Sequence, residues 1–243
     1  MNVQARWITH YVKDLDKVIT ASESITEKFA TVHRFPKAVT ILNGYESDIF
    51  NELTPETDSG HFSISLIGAL YNGQDNDFML EGMLQFLRQL KDTNRIKINF
   101  IGLEYNPEVA DKVKKALLEF KEVVTVTARV ERHKALQIMK NSTVLFYVGW
   151  KGWKGIYSGK IFEYLGAKKN ILIAPNDHDV LEKLLNYTET GKLADTPGEM
   201  SKILMDWYDE WIQNGKLKYH GVENRIAEFT RESQAEKLMS CLD

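Results

Sequence analysis

Cysteine is nearly absent. Cys241, close to the C-terminal end, is the single one, so no intrachain disulfide forms, which suits a reducing compartment. Long apolar runs are missing too. Nothing approaches the ~18 residues of a membrane span, and Met1-Asn-Val-Gln-Ala-Arg-Trp7 has no signal-peptide core. A soluble, cytoplasmic protein is expected. Charge of one sign is scarce: a net charge of −3 without a basic block gives no reason to expect nucleic acid as a partner. The six histidines, at positions 10, 33, 61, 133, 178 and 220, lack ligand spacing, so no metal site is expected. Neither Gly-x-Ser-x-Gly nor His-Glu-x-x-His occurs, and Cys241 offers no case for a thiolate. Without Gly-x-Gly-x-x-Gly or a Walker loop, dinucleotide and NTPase readings lose support.

What is present is an ordinary globular composition, 27% charged and 43% apolar, in 243 residues. Short β-branched runs alternate with helix-period segments. Strands are expected at Lys17–Thr20, Ala38–Leu42, Phe62–Ile67, Lys97–Ile101, Val123–Thr127, Thr143–Val148 and Asn170–Ala174. Helices are expected at Ser22–Ala30, Asp77–Lys91, Pro107–Lys121, Arg132–Asn141, Gly159–Gly166, Asp179–Leu185, Gly198–Ile212 and Val222–Leu242. The alternation predicts an α/β fold, a Rossmann-like parallel sheet flanked by helices, with strands that read as nearly continuous apolar runs. Pro107 suits a first helical turn, Asp177 or Asp179 caps the helix after Pro175, and Thr196-Pro-Gly-Glu199 opens another. Asn51–Gly60 reads as an exposed linker. The segment up to about residue 42 supplies two helices and two strands with few sheet partners, which points to a missing domain.

The most informative stretch is Gly155–Pro175. Small residues at Gly155, Ser158 and Gly159 let backbone approach an anion at a helix start, and Lys160 adds a point charge. Glu163, one turn further in, lies where a ribose diol would sit if a nucleotide phosphate filled the loop. The same residues also read as a plain loop with a solvated lysine and a glutamate near the positive end of a helix dipole. Trp150, Trp153 and Tyr157 form an aromatic cluster suited to covering a flat ligand face or closing over the core. In an open parallel sheet, ligands bind beyond the carboxyl ends of the strands. Four such ends carry small or polar residues: Gly68 to Asp75, Gly102-Leu103, Ala128 to Glu131, and Gly149 into the loop to Gly159.

Together these segments resemble the C-terminal, donor-binding half of retaining GT-B glycosyltransferases of the family 4 type (glycosyl transferases group 1). Asp16 to Glu23 resembles the family's last N-domain strand, and Val39 to Phe50 its interdomain linker. Ile67 to Asp75 is similar to a Gly-x-Leu-Tyr-x-Gly-Arg-Asp phosphate loop. Ser158 to Ala167 is similar to the donor motif, and Phe229 to Ala235 to the terminal helix that crosses back. The resemblance implies a remnant of the N-terminal domain at 1–42, a nucleotide-sugar-binding domain at 43–221 and a crossing helix at 222–243.

The implied ligand is a nucleotide diphospho-sugar, bound as substrate with no cofactor. Glu163 would accept the ribose hydroxyls, Gly159 and Lys160 would hold phosphate, and Arg129 with Val130 would meet the base. Gly155 would face the sugar, and Gly68, Gln74, Tyr157 and Ser158 complete the expected site. The acceptor, a glycan or lipid-linked molecule, would come through the N-terminal domain, which leaves room for peripheral membrane association of the full enzyme. Two residues depart from the family's pattern. Gly155 stands eight before Glu163, where the family has a second glutamate, and Gln74 replaces an arginine. Without the acceptor domain, the chain by itself is expected to bind donor and not to transfer sugar. The rivals are a non-catalytic nucleotide-sugar-binding module and a sugar-nucleotide epimerase of similar fold.

Overall fold

A computed structural model describes residues 3–55, 60–71, 73–150 and 152–241, with side chains from Arg6 onward. Asn72 and positions 56–59 of the expected linker lie outside the described residues. The chain begins α1 (Val3–Val12), β1 (Val18–Thr20), α2 (Glu23–Thr31), β2 (Ala38–Thr40) and α3 (Ser47–Glu52). Then come β3 (Phe62–Ile67), α4 (Asn76–Gln89), β4 (Ile96–Ile101), α5 (Pro107–Ala116) and β5 (Val124–Val126). Next are α6 (Arg132–Asn141), β6 (Val144–Tyr147), α7 (Gly159–Ala167), β7 (Asn170–Ile173), α8 (Val180–Thr188) and β8 (Gly191–Leu193). Helices α9 (Pro197–Asn214), α10 (Glu223–Ala227) and α11 (Arg231–Ser240) end the chain.

Strands β3 to β8 form one parallel sheet in the order β5-β4-β3-β6-β7-β8. Helices cover both faces. Phe62, Ile64, Leu66, Ile98 and Phe100 pack with Met83 and Phe86 of α4, Val113 of α5 and Leu204 and Trp207 of α9. Ile67, Leu145, Ile171 and Ile173 pack on the other side with Leu136 of α6, Phe162 of α7, Leu181 of α8 and Ile226 of α10. This is the α/β class expected from the alternation of periods. The β3 strand departs from a continuous apolar run because Ser63 and Ser65 are buried in it. Their hydroxyls are satisfied sideways: Thr143 N–H donates to Ser63 Oγ at 3.0 Å, and Ser142 Oγ and Asn99 Nδ2 donate to Ser65 Oγ at 2.8 and 3.1 Å.

Strands β1 and β2 pair separately, parallel to each other. The C-terminal segment returns to the stretch that follows them. Gln234 Oε1 accepts Leu42 N–H at 3.0 Å, Tyr45 N–H donates to Phe229 O at 3.1 Å, and Arg231 N–H to Tyr45 O at 2.9 Å. That exchange, with Thr230 capping α11, breaks the expected single helix 222–242 into α10 and α11.

Three other expectations are corrected. The linker at 51–60 starts inside α3, and Leu53 just after it is buried. The expected helix Pro107–Lys121 stops at Ala116 and tightens into a 3₁₀ turn at Leu118–Phe120. The sheet gains an edge strand, β8, that no apolar run announces.

Candidate functional site

The sheet reverses its winding between β3 and β6: β4 and β5 lie to one side, β7 and β8 to the other. Crossovers diverge at such a switch point and leave a crevice at the carboxyl ends of the strands. Here β3 and β6 stay paired only at Ile64↔Val144 and Ser65↔Leu145. Beyond that, the buried Tyr164 hydroxyl from α7 takes Ile67 N–H at 3.0 Å and donates to Phe146 O at 3.3 Å. Burial pushes that hydroxyl's pKa up.

A cavity of about 420 Å³ opens over this crevice. Gly68, Tyr71 and Gln74 come from the loop after β3, Tyr105 and Arg129 from the ends of β4 and β5, and Trp150 from the loop after β6. Ser158, Gly159, Lys160 and Glu163 come from the start of α7, and Asn43, Gly44 and Arg231 close the side nearest the returning C-terminal segment. A neighbouring cavity of about 320 Å³ shares Gly68, Arg129, Lys160 and Glu163 and adds Gly102, Val130 and Arg132. The main cavity therefore holds three cations, Arg129, Lys160 and Arg231, against the one carboxylate Glu163 among its described lining residues.

Local geometry explains the charge placement. Ser158 has extended backbone at the N-cap of α7, and its side chain caps no first-turn N–H, which leaves the Gly159 and Lys160 N–H groups without a side-chain cap on residues that line the cavity. Its Oγ is buried and meets no partner at hydrogen-bond geometry, although the Tyr147 hydroxyl lies beside it. Lys160 Nζ holds Glu163 Oε2 at 2.7 Å, and the Lys160 stem runs past Gly68, whose φ of 118° suits glycine. Arg132 Nε stands 3.9 Å from the other Glu163 oxygen. Arg132 is tied at 3.0 Å to Glu46, which also pairs with Arg231; the hydrogen bond from Arg132 holds the Glu46 carboxyl below the ordinary carboxylate range. Further along the cavity wall, the Arg129 guanidinium lies 4.8 Å over the exposed Tyr105 ring.

Seven of the expected residues meet in the main cavity: Gly68, Gln74, Arg129, Ser158, Gly159, Lys160 and Glu163. Val130 lines the neighbouring one. Gly155 and Tyr157 line neither. Gly155 has φ 73°, donates its N–H to Asp179 Oδ2 at 2.7 Å, and is buried against Ser22 and Ser24 of the β1–α2 connection. Tyr157 packs on Phe162 and sends its hydroxyl to Glu23 and Val180 O, both at 3.3 Å. Gln74 reaches the cavity wall, but its amide is engaged: Oε1 accepts Tyr71 N–H at 2.9 Å and Nε2 donates to Val148 O at 2.7 Å.

Sequence reasoning missed Asn43, Tyr105, Arg132 and Arg231 among the residues that line the two cavities. Tyr105 was within reach, three residues after the flagged Gly102. Arg132 and Arg231 come together only through Glu46, across a return of the chain that no local pattern encodes.

Among the described residues, no helix is long and apolar enough to cross a membrane, and no group of metal-ligating side chains gathers. No protein-family model and no curated protein matches the sequence. Solved structures do match. A glycosyltransferase from Rickettsia africae ESF-5 superimposes with a TM-score of 0.74 at 15% identity, over 96% of this chain and 65% of its own. Anabaena HepE in complex with UDP gives 0.75 at 12% identity, over 98% and 66%. Sucrose-phosphate synthase from Thermosynechococcus elongatus gives 0.70 at 13% identity, over 98% and 60%. The chain thus spans no more than about two thirds of these neighbours' length, and it has the fold of a GT-B glycosyltransferase over that span.

Proposed function

We propose that this chain is the donor-binding part of a glycosyltransferase and holds a nucleotide diphospho-sugar in the cavity of about 420 Å³ at the switch point. The observation that carries this reading is the meeting of an uncapped helix start, Lys160 and Glu163 on one wall of that cavity. A diphosphate would lie against the N–H groups of Gly159 and Lys160, with Lys160 and Arg231 offsetting its charge. Glu163 would exchange its bond to Lys160 for the ribose hydroxyls, and the base would extend toward Arg129 and Val130 in the adjoining cavity. The fold neighbours bound to UDP and UDP-glucose support a nucleotide-sugar ligand. In the complete enzyme a sugar would pass with retention to a glycan or lipid-linked acceptor, and stabilisation of the departing diphosphate would be the protein's contribution.

A second reading, a non-catalytic nucleotide-sugar-binding module, gains support from two positions. Gln74 brings no charge, and Gly155 brings no carboxylate to the cavity. Calorimetric titration of the chain with UDP, GDP and ADP tests the shared part of both readings. Saturable binding of one of them, abolished in Glu163→Ala, is expected; binding of none, or binding indifferent to Glu163→Ala, overturns it. Turnover assayed with an added acceptor domain separates the transferase from the module.

A further inference from the structure

Three aromatic rings meet in series at the mouth of the main cavity. Tyr71 stacks on Trp150 with ring centroids 6.0 Å apart and planes at 28°, and Trp153 meets Trp150 edge-on at 6.4 Å and 69°. Tyr71 and Trp150 line the cavity, and Trp153 stands outside it. Tyr71 is 55% exposed and Trp153 60%. Large apolar faces are thus left in water at the rim of a concave surface, where a ligand can cover them.

This ledge is held from beneath. Gln74 takes Tyr71 N–H at 2.9 Å through Oε1 and donates through Nε2 to Val148 O at 2.7 Å. It thereby ties the loop after β3 to the segment that leads into Trp150. Gly73 makes room for the Trp150 indole, since a Cβ there would stand 3.1 Å from the ring. Trp153 N–H donates to Trp150 O at 3.2 Å across a turn in which Gly152 takes φ 77°. The Lys154 ammonium, next along, is bound to the carbonyls of Asp177 and His178 at 3.0 and 2.8 Å. Rings fixed in this way lose little freedom when something settles on them.

The size of the ledge selects its occupant. Its exposed ring surface is on the order of 300 Å², well under the ~800 Å² that each side of a stable protein interface buries. A folded partner therefore needs more than this surface. An acyl chain calls for an enclosed apolar channel, and the ledge is open. A sugar ring presents C–H groups on its faces and hydroxyls at its edge, so it can cover an indole or phenol face while its hydroxyls stay in water.

We propose that Tyr71, Trp150 and Trp153 form a saccharide subsite, and that the acceptor of the transfer proposed above is a glycan whose sugar rings stack there. The acceptor assignment rests on the donor-site reading; the stacking does not. Because the ledge continues the wall of the cavity, a glycan seated on it lies beside the donor.

The test titrates the whole chain with cellohexaose, maltohexaose and chitohexaose, followed by calorimetry and by saturation-transfer NMR, with and without UDP. Saturable binding of at least one is expected. It should weaken about tenfold or more in Trp153→Ala and in Tyr71→Ala, and be largely kept in Trp153→Phe. UDP should titrate Trp153→Ala as it does the parent. Binding of none of the three overturns the proposal, as does binding indifferent to both alanine variants, or a loss in Trp153→Ala that UDP binding shares. Should one alanine variant fail to fold, the other is read against the same outcomes. Failure of UDP to bind the parent, with the dependence on the ledge intact, removes the donor-site reading and the acceptor assignment with it, and supports the saccharide subsite.

Discussion

The carboxylate of Asp179 accepts the backbone N–H of Gly155 at 2.7 Å and the hydroxyl of Ser24 at 2.8 Å. One side chain at the start of α8 thus joins the loop before α7 to the first turn of α2, across 155 residues of sequence. Gly155 is thereby turned toward the β1–α2 connection and away from the cavity. The contact also fixes how the small β1–β2 unit sits on the large sheet.

Removing that charge loosens the junction. Asp179→Asn keeps the shape but weakens the bonds to Gly155 and Ser24 and the pairing with Lys183 at 3.4 Å, an expected cost of about 1–3 kcal/mol in urea unfolding. Burial pushes the Asp179 carboxyl up, but the bonds from Ser24, Gly155 and Lys183 together hold it below its ordinary value. Its folded pKa lies below the unfolded one, so its contribution is present above the unfolded value of about 4 and lost as pH falls through the folded one. The stability gap between parent and Asp179→Asn should hold constant from neutral pH to about 5 and close on further acidification. A gap that persists at the acid end would show that the charge is not what matters.

Gly155→Glu re-creates the spacing of two glutamates yet should not create a working pair. A Cβ at this position falls 2.9 Å from Ser22 Oγ and 3.0 Å from Ser24 Cβ, on backbone with φ 73°. Strain of about 1–3 kcal/mol is expected, visible as a lower melting temperature, with Gly155→Ala showing most of the same loss. A Gly155→Glu protein as stable as the parent would mean that the loop is free to turn toward the cavity.

The sheet was legible because burial on both faces writes itself into the sequence as apolar runs, as at Val144–Tyr147 and Asn170–Ile173, and strand β3 and helix α6 have the bounds their patterns predict. Two kinds of element escaped. β8 is a three-residue edge strand, Gly-Lys-Leu, too short and too polar to carry a period. α1 received no bounds: Trp7, Ile8, Tyr11 and Val12 share one face, but the first three stand exposed, so no core contact marks where the helix starts and stops. In the site, residues on a single loop or helix were readable, as with Ser158, Gly159, Lys160 and Glu163. Orientation was not. Whether Gly155 faces the ligand depends on Asp179 and Ser24, and the task of Gln74 depends on Val148; these partners are set by tertiary folding.

Gln74 supports the cavity's wall through its amide. An arginine here has five donors and no acceptor, so Gln74→Arg leaves Tyr71 N–H without the partner it now has at 2.9 Å. Amide hydrogen exchange at Tyr71 should quicken in Gln74→Arg and Gln74→Ala alike, by about tenfold for a bond worth about 1 kcal/mol or slightly more. Unchanged exchange at Tyr71 would remove Gln74 from this role.

Tyr164→Phe tests what holds the switch point apart. The hydroxyl answers the buried Ile67 N–H, and loss of that partner should cost about 1–3 kcal/mol, while the ring keeps its packing. Because burial raises the pKa of this hydroxyl, the folded state holds its proton more tightly than the unfolded chain. The advantage of the parent over Tyr164→Phe should therefore stay level up to about pH 9 and shrink above about 10, where unfolded tyrosine ionises. Urea unfolding at a series of pH values reads this directly. Equal stability of the two proteins at pH 7 would mean that β3 and β6 are held apart by packing alone, with the Ile67 N–H satisfied by water in the cavity.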